Sequence, residues 1–308
     1  MQVSLIPDAG SLAAQPEDFF RSPEFFEAEG VSHSLAFGPD GPVTPVLVRE
    51  VPGSTEIDAI SPYGYPGARA GVGGSVDPVD LDWSGTGLVS VFIRDAIGVE
   101  PFIRGGTERS NVCVCDPAAP SGMRKRLREQ IRRNERNGWS VELTSGPQVS
   151  PELLEGFSRA YSETMVRTGA TDRYLFEDSY FETLFRSETS WLVSASHREE
   201  LLAGAIVVAS DGLLHYFLGG TAADGLDDSP MKNLFGRMID LSEALGLPLN
   251  LGGGLEPGDS LESFKRGFSN AELPFITHEI VCDSVLYESL SGGASPAPGF
   301  FPAYRSST

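Results

Sequence analysis

The chain has 308 residues, with 43 acidic and 23 basic side chains and a formal net charge of −20. An acidic surface of this kind repels phosphate and argues against a general nucleic-acid binder, while 40% hydrophobic and 21% charged residues exclude wholesale disorder. The length suits two packed domains. No apolar run approaches the roughly 20 residues of a membrane span, and the N-terminus lacks a basic leader, so a cytoplasmic location is expected.

In chain order, residues 34–37 read as a strand, Gly38-Pro39-Asp40-Gly41-Pro42 as a turn, and 43–51 and 57–61 as further strands. The glycines of Arg69-Ala70-Gly71-Val72-Gly73-Gly74 are out of step with a phosphate-binding loop, so this segment reads as a turn. A short helix is expected after Asp77-Pro78, then strands rich in β-branched and aromatic residues at 88–94, 99–104 and 111–115. Cys113 and Cys115 share one face of the last strand and read as small buried hydrophobes. The four histidines are scattered without metal-ligand spacing, so no metal site is expected.

Residues 123–136, MRKRLREQIRRNER, hold seven basic side chains and two acidic ones, so one segment owns the positive charge. Met123, Leu127 and Ile131 recur every four residues and give a basic helix one narrow apolar stripe, stopped at Asn137-Gly138. A strand at 139–143 follows, then a helix over 151–168 with Ser150 as cap and Pro151 in its first turn, and a third helix at 176–186. Strands are expected at 191–196, 202–210 and 213–219, the last two joined by the turn pair Asp211-Gly212. Ser229-Pro230 opens a helix with Leu234, Met238, Leu241 and Leu245 on one face, closed by Gly246. A short strand at 249–252, a loop with a helical turn to Phe268, and a strand at 275–282 complete the series. The expected boundaries are 1–137, ending in the basic helix, 138–290, and a flexible tail at 291–308 rich in Gly, Pro and Ser.

Seven segments fall in register: Ser61-Pro62-Tyr63-Gly64-Tyr65-Pro66-Gly67; the basic stretch 124–138; Tyr161 through Arg167 with Tyr174-Leu175-Phe176 and Tyr180-Phe181; His215-Tyr216 to Gly220; Ser229-Pro230-Met231-Lys232-Asn233; Leu251-Gly252-Gly253-Gly254; and Phe264-Lys265-Arg266-Gly267-Phe268. Over roughly residues 30–285 they resemble the Fem-like branch of the GNAT acyltransferase superfamily, peptidyltransferases that move an amino acid from aminoacyl-tRNA onto an amine. The resemblance implies an α/β (α+β) fold of two tandem GNAT-like domains, with mixed central sheets flanked by helices. No heptad segment corresponds to the coiled-coil arm of the members that build cell-wall bridges. The implied acceptor is therefore a small-molecule or peptide amine, as in natural-product pathways.

The resemblance also implies a catalytic role for Lys265, whose ammonium would stabilise the oxyanion formed when an amine attacks an ester or thioester. Without it, Lys265 and Arg266 read as surface charges beside two core phenylalanines. His215 and Tyr216 alternate on a strand facing the cleft; both are catalytic candidates, with cross-strand packing as the alternative. Tyr63, Tyr65, Tyr161, Arg167 and Tyr174 are substrate-binding candidates, or structural aromatics and packing residues. For tRNA phosphates the candidates are Arg124, Lys125, Arg128, Arg132 and Arg133 on the basic helix, with Lys232 and Asn233 at a helix start expected to present free N–H groups. A basic helix docked on an acidic remainder is the plain alternative. Residues 221–228 lack the Q/R-x-x-G-x-G/A loop of acetyl-CoA enzymes and hold three aspartates. That favours aminoacyl-tRNA as co-substrate with no separate cofactor. An N-acyltransferase using acyl-CoA, with coenzyme A as carrier, and a non-catalytic binding module are the other readings.

Overall fold

A computed structural model describes residues 1–70, 74–256, 258–292 and 300–306. The chain divides into two compact units: Met1–Gln15, Phe20–Ser110 and Pro274–Thr308 form the first, and Pro16–Phe19 with Asn111–Leu273 the second. The basic helix thus lies in the second unit rather than at the end of the first, because its apolar stripe packs there on the helix that follows the hairpin.

The first unit opens with β1 (Val3–Ile6), α1 (Pro23–Glu29), β2 (His33–Phe37), β3 (Val43–Glu50), β4 (Ile57–Ile60) and β5 (Leu88–Arg94). Consecutive strands pair antiparallel except β4 and β5, which run parallel, so the sheet is mixed. Alternation buries Leu35, Phe37, Val46, Val91 and Ile93 in one cluster with Trp83 and Phe102. Around the sequence-expected strand at 99–104 the described residues form only single bridges, Arg69 to Pro101 and Val76 to Ile103. Pro101 has no N–H to extend a ladder. The helix expected after Asp77 is one 3₁₀ turn, Pro78–Asp80, with the Asp77 carboxylate accepting from Val79 N. Gly71, Val72 and Gly73 of the expected turn lie outside the described residues.

β6 (Thr107–Cys115) begins in the first unit and ends in the second. There follow α2 (Lys125–Arg136), β7 (Trp139–Ser145), α3 (Pro151–Thr168), α4 (Asp178–Phe185), β8 (Ser190–His197), β9 (Glu200–Ser210), β10 (Leu213–Thr221), α5 (Met231–Leu245), β11 (Leu249–Gly252) and α6 (Ser260–Arg266). The strand order is β6-β11-β10-β9-β8-β7, antiparallel apart from the β10–β11 pair. Asp211 at φ 55° and Gly212 at φ 75° make the expected tight hairpin. Period-2 alternation puts helices on both faces of this sheet. Ala203, Ala205 and Val207 join Leu234, Phe235 and Met238 of α5, while Gly204 faces the Phe157 ring of α3. A Cβ at Gly204 would come within 2.6 Å of that ring, so a glycine is what lets α3 approach.

β12 (Ala271–Val281) returns to the first unit, where it pairs antiparallel with β5, and α7 (Ser284–Ser291) follows. The expectation of a loose tail does not hold at 300–306. Tyr304 is buried and donates to Asp58 Oδ2 at 3.1 Å, and Arg305 Nε donates to the same oxygen at 2.6 Å. A fully buried carboxylate needs charged partners, and Arg49 and Arg305 supply them. Residues 293–299 and 307–308 of that tail lie outside the described residues. Among the described residues no helix is long and apolar enough to cross a membrane.

Candidate active site

β10 and β11 pair at only two positions, Leu214 with Leu249 and His215 with Asn250. Just beyond, β10 shifts register against β9 between Tyr216 and Leu218, and β11 shifts against β6 between Asn250 and Gly252. Irregularities of this kind end a ladder and re-aim side chains. At this level Lys265 of α6 brings in its ammonium: Nζ donates to Gly253 O at 2.7 Å and lies 5.6 Å from the centroid of the Tyr216 ring. Gly252 has φ 75°, and a Cβ there would sit 3.1 Å from Nζ. The loop is gathered by Asp259, whose carboxylate accepts from Leu255 N and Glu256 N and caps α6 through Glu262 N.

Lys265 is only 6% exposed. Burial, which penalises the charged form, pulls its ammonium from 10.5 down to about 8. Near neutral pH it is therefore a cation in a dry setting, with one N–H spent on Gly253 O and others free for a developing oxyanion. Tyr216 packs edge-on against Phe235 with centroids 5.2 Å apart, and burial raises its phenol to about 12, so it stays a protonated donor.

His215 turns away from this point. Its Nδ1 accepts from Asn250 Nδ2 at 3.1 Å and its Nε2 donates to Ser210 O at 3.2 Å, so both ring nitrogens are used. Burial drops its pKa to about 4. The strand pair thus resolves into Tyr216 beside Lys265 and a neutral structural His215.

A second feature gathers at the start of α5. Burial lowers the Lys232 pKa first, followed by the positive charges of Arg126 and Arg133 on α2. Arg126 was not among the sequence candidates. Its signal is the spacing of seven to Arg133, two helical turns on one row. Arg128 and Arg132 lie on another row and line a cleft of about 460 Å³ with Ile131, Trp139 and Arg237. Arg124 and Lys125 are exposed at the start of the helix, where Lys125 stands 3.7 Å from Glu129. Contrary to the sequence expectation, the helix start is not a set of free amides. The N–H groups of Ser229, Lys232 and Asn233 bond Leu226 O, Ser229 O and Pro230 O. Asn233 is also buried, with its side chain tied to α2, which leaves it unsuited to contact a phosphate.

The substrate-binding candidates separate. Tyr161 is fully buried on α3 among Phe157, Phe176 and Phe181, which makes it a core aromatic. Arg167 Nη2 donates to Thr164 Oγ1 at 3.0 Å and Thr221 O at 3.1 Å, clasping the end of α3 to the end of β10. Tyr174 lies half-buried in a 3₁₀ turn, Asp172–Tyr174. Tyr63 and Tyr65 belong to the first unit, where Tyr65 sits edge-on to Phe20 and Phe275 at 5.6 and 5.5 Å. Tyr63 N donates to Glu29 Oε2 at 2.9 Å. Among the described residues no group of three or more His, Cys, Asp or Glu is placed to hold a metal ion.

The family model for the acetyltransferase (GNAT) domain matches residues 121–266, the stretch that carries α2, the splayed strands and Lys265. That segment is a GNAT acyltransferase domain. No curated protein matches the chain in sequence. Among solved structures, FemX superposes with a TM-score of 0.64 at 13% identity, covering 91% of this chain and 96% of its own. The C-terminal domain of a protein assigned as a lysylphosphatidylglycerol synthetase from Agrobacterium fabrum gives 0.59 at 13% identity, with 87% and 88% covered. L-PGS from Bacillus licheniformis gives 0.56 at 12% identity, with 86% and 88% covered. The GNAT domain therefore shares its fold with Fem-type structures, as the sequence motifs implied.

Proposed function

We propose that this GNAT acyltransferase domain serves an aminoacyl-tRNA-dependent N-aminoacyltransferase acting on a small-molecule or peptide amine, in the manner of natural-product biosynthesis. The observation that carries the reading is the dry Lys265 ammonium beside the irregular strand pair. The neutral acceptor amine attacks the carbonyl carbon of the aminoacyl ester, and the carbonyl oxygen takes up negative charge facing Lys265 Nζ. Collapse of this intermediate breaks the carbon–oxygen bond to the ribose. The proton lost by the amine balances the released ribose hydroxyl, and an amide remains. Tyr216 donates its phenol proton as a hydrogen bond and needs no ionisation.

Three observations favour tRNA over coenzyme A as carrier. The cations near the α5 start come from side chains of Arg126, Arg133 and Lys232, whereas the amides of Ser229, Lys232 and Asn233 are spent in turns. Arg128 and Arg132 extend positive charge along α2 beyond what a compact pyrophosphate needs. The scaffold is shared with FemX and with a lysylphosphatidylglycerol synthetase, an enzyme named for an aminoacylated product.

The deciding experiment supplies a panel of amines with either labelled aminoacyl-tRNA or labelled acyl-CoA, with and without ribonuclease. Amide formation abolished by ribonuclease is the expected result. Transfer that survives ribonuclease and requires the CoA thioester would replace this reading with the acyl-CoA one.

A further inference from the structure

A buried pair of side-chain amides fastens α2 to α5. Asn134 is fully buried, and its Nδ2 donates both to Asp228 O at 2.9 Å and to Asn233 Oδ1 at 2.8 Å. Asn233 Nδ2 donates back to Ile131 O on α2 at 3.2 Å. Trp139 Nε1 donates to Asp228 Oδ2 at 3.0 Å, so the backbone and the side chain of Asp228 are both held. The helices come close where this happens, since a Cβ on Gly236 would meet Ile131 Cδ1 at 3.3 Å.

For packing alone this arrangement is a poor choice. Asn134 Oδ1 is buried with no hydrogen-bond partner, a penalty that a leucine would avoid. Leu127 and Ile131 already supply apolar contact on that face. What the amides add is direction: they define the rotation of α2 about its axis, which a greasy contact leaves loose. Rotation matters because successive residues turn by about 100°. A slip of one residue would swing Arg126 and Arg133 away from Lys232 together.

We infer that Asn134 and Asn233 are positioning residues that lock the rotation of α2 so that Arg126, Arg133 and Lys232 form one cationic seat for the phosphates of the acyl donor. The donor part of this inference rests on the function proposed above; the clamp itself does not.

The test exploits the scarcity of lysine, of which the chain has three: Lys125, Lys232 and Lys265. Titration of ¹³C-labelled lysine by NMR follows Lys232 with no substrate present. In Asn134→Leu, which keeps the number of side-chain heavy atoms and whose fold is checked by circular dichroism, the Lys232 pKa is expected to rise toward its ordinary 10.5 as the two arginines disperse. The slope of log affinity against log salt for aminoacyl-tRNA should fall by about one to two as those contacts are lost. Lys232 titrating as in the wild type in the folded variant overturns the clamp. Should Asn134→Leu unfold, Asn233→Ala decides: it removes the acceptor for Asn134 Nδ2 and the donor to Ile131 O, and an unmoved Lys232 there is equally fatal. A Lys232 shift with unchanged tRNA binding leaves the clamp standing and sinks the donor role.

Discussion

The second unit holds positive charge in two opposite ways. Lys265 is a single ammonium, almost wholly buried, tied to one backbone carbonyl and pulled down to about 8 by desolvation. The arginines of α2 are exposed and are spread over two rows of the helix. A charge in a dry site is worth far more to a neighbouring oxyanion than the same charge in water, and it is nearly indifferent to salt. An exposed row contributes through release of counterions and is governed by salt. On the function proposed above, the contrast suits Lys265 to chemistry and α2 to carrier binding.

The largest effect that breaks this division is at Lys265. Lys265→Met should cut turnover by about two to three orders of magnitude, the scale of losing an oxyanion donor. At pH 7 the variant should unfold in urea no more easily than the wild type, because a buried charge is replaced by an apolar chain. A variant as active as the wild type removes Lys265 from the mechanism. pH gives the sign independently. As an oxyanion stabiliser Lys265 acts in its charged form, so kcat should fall as pH rises through about 8. A rise through the same value would make it a base instead. Stability moves the other way. The unfolded chain keeps the proton up to 10.5 while the folded chain has lost it by about 8, so stability climbs with pH across that window.

The α2 row is the middle-sized test. Arg126→Gln and Arg133→Gln should each lower the salt slope of aminoacyl-tRNA binding by about 0.7–0.9 and leave kcat at saturating donor unchanged. A kcat loss with an unaltered slope would move these arginines from binding to chemistry.

Some of this division was legible in the sequence and some was not, for reasons that can be located. α3 was readable because Ser150, Pro151 and Gly169 punctuate eighteen residues of helical pattern. α1 carries the same punctuation in Ser22, Pro23 and Gly30, yet its seven residues make only two turns, too few for periodicity to speak. The basic helix announced itself by composition. Its functional rows did not, because the partner that distinguishes Arg126 from Arg128 is Lys232, in another segment. Strand alternation established that His215 and Tyr216 face opposite ways. Which of them meets Lys265 depends on Asn250 of β11, whose Nδ2 donates to the His215 imidazole and holds it away. The closing residues 300–306 looked like low-complexity tail, since the buried carboxylate that recruits Arg305 belongs to Asp58, far upstream.

The smallest effect tests whether Lys265 is tuned as well as placed. The charge of Asp259 raises the Lys265 pKa against the dominant pull of burial, and its carboxylate also orders the loop that presents Gly253 O. Asn at this position keeps one side-chain oxygen able to cap α6, while its NH2 cannot accept from Leu255 N and Glu256 N, so Asp259→Asn removes the charge together with the hydrogen bonds on one side of the carboxylate. With that charge gone, Lys265 should lose its proton at lower pH, and the fall in kcat should move below about 8 while kcat on the acid side stays near the wild-type value. Because Asp259 is only half-buried and screened by solvent, the displacement should be a fraction of a pH unit. A displacement upward would mean that the ordering of the loop, through the Gly253 carbonyl, outweighs the charge in setting the Lys265 proton. An unmoved profile would mean that Asp259 contributes nothing to the tuning, which burial and Cys113 would then set between them.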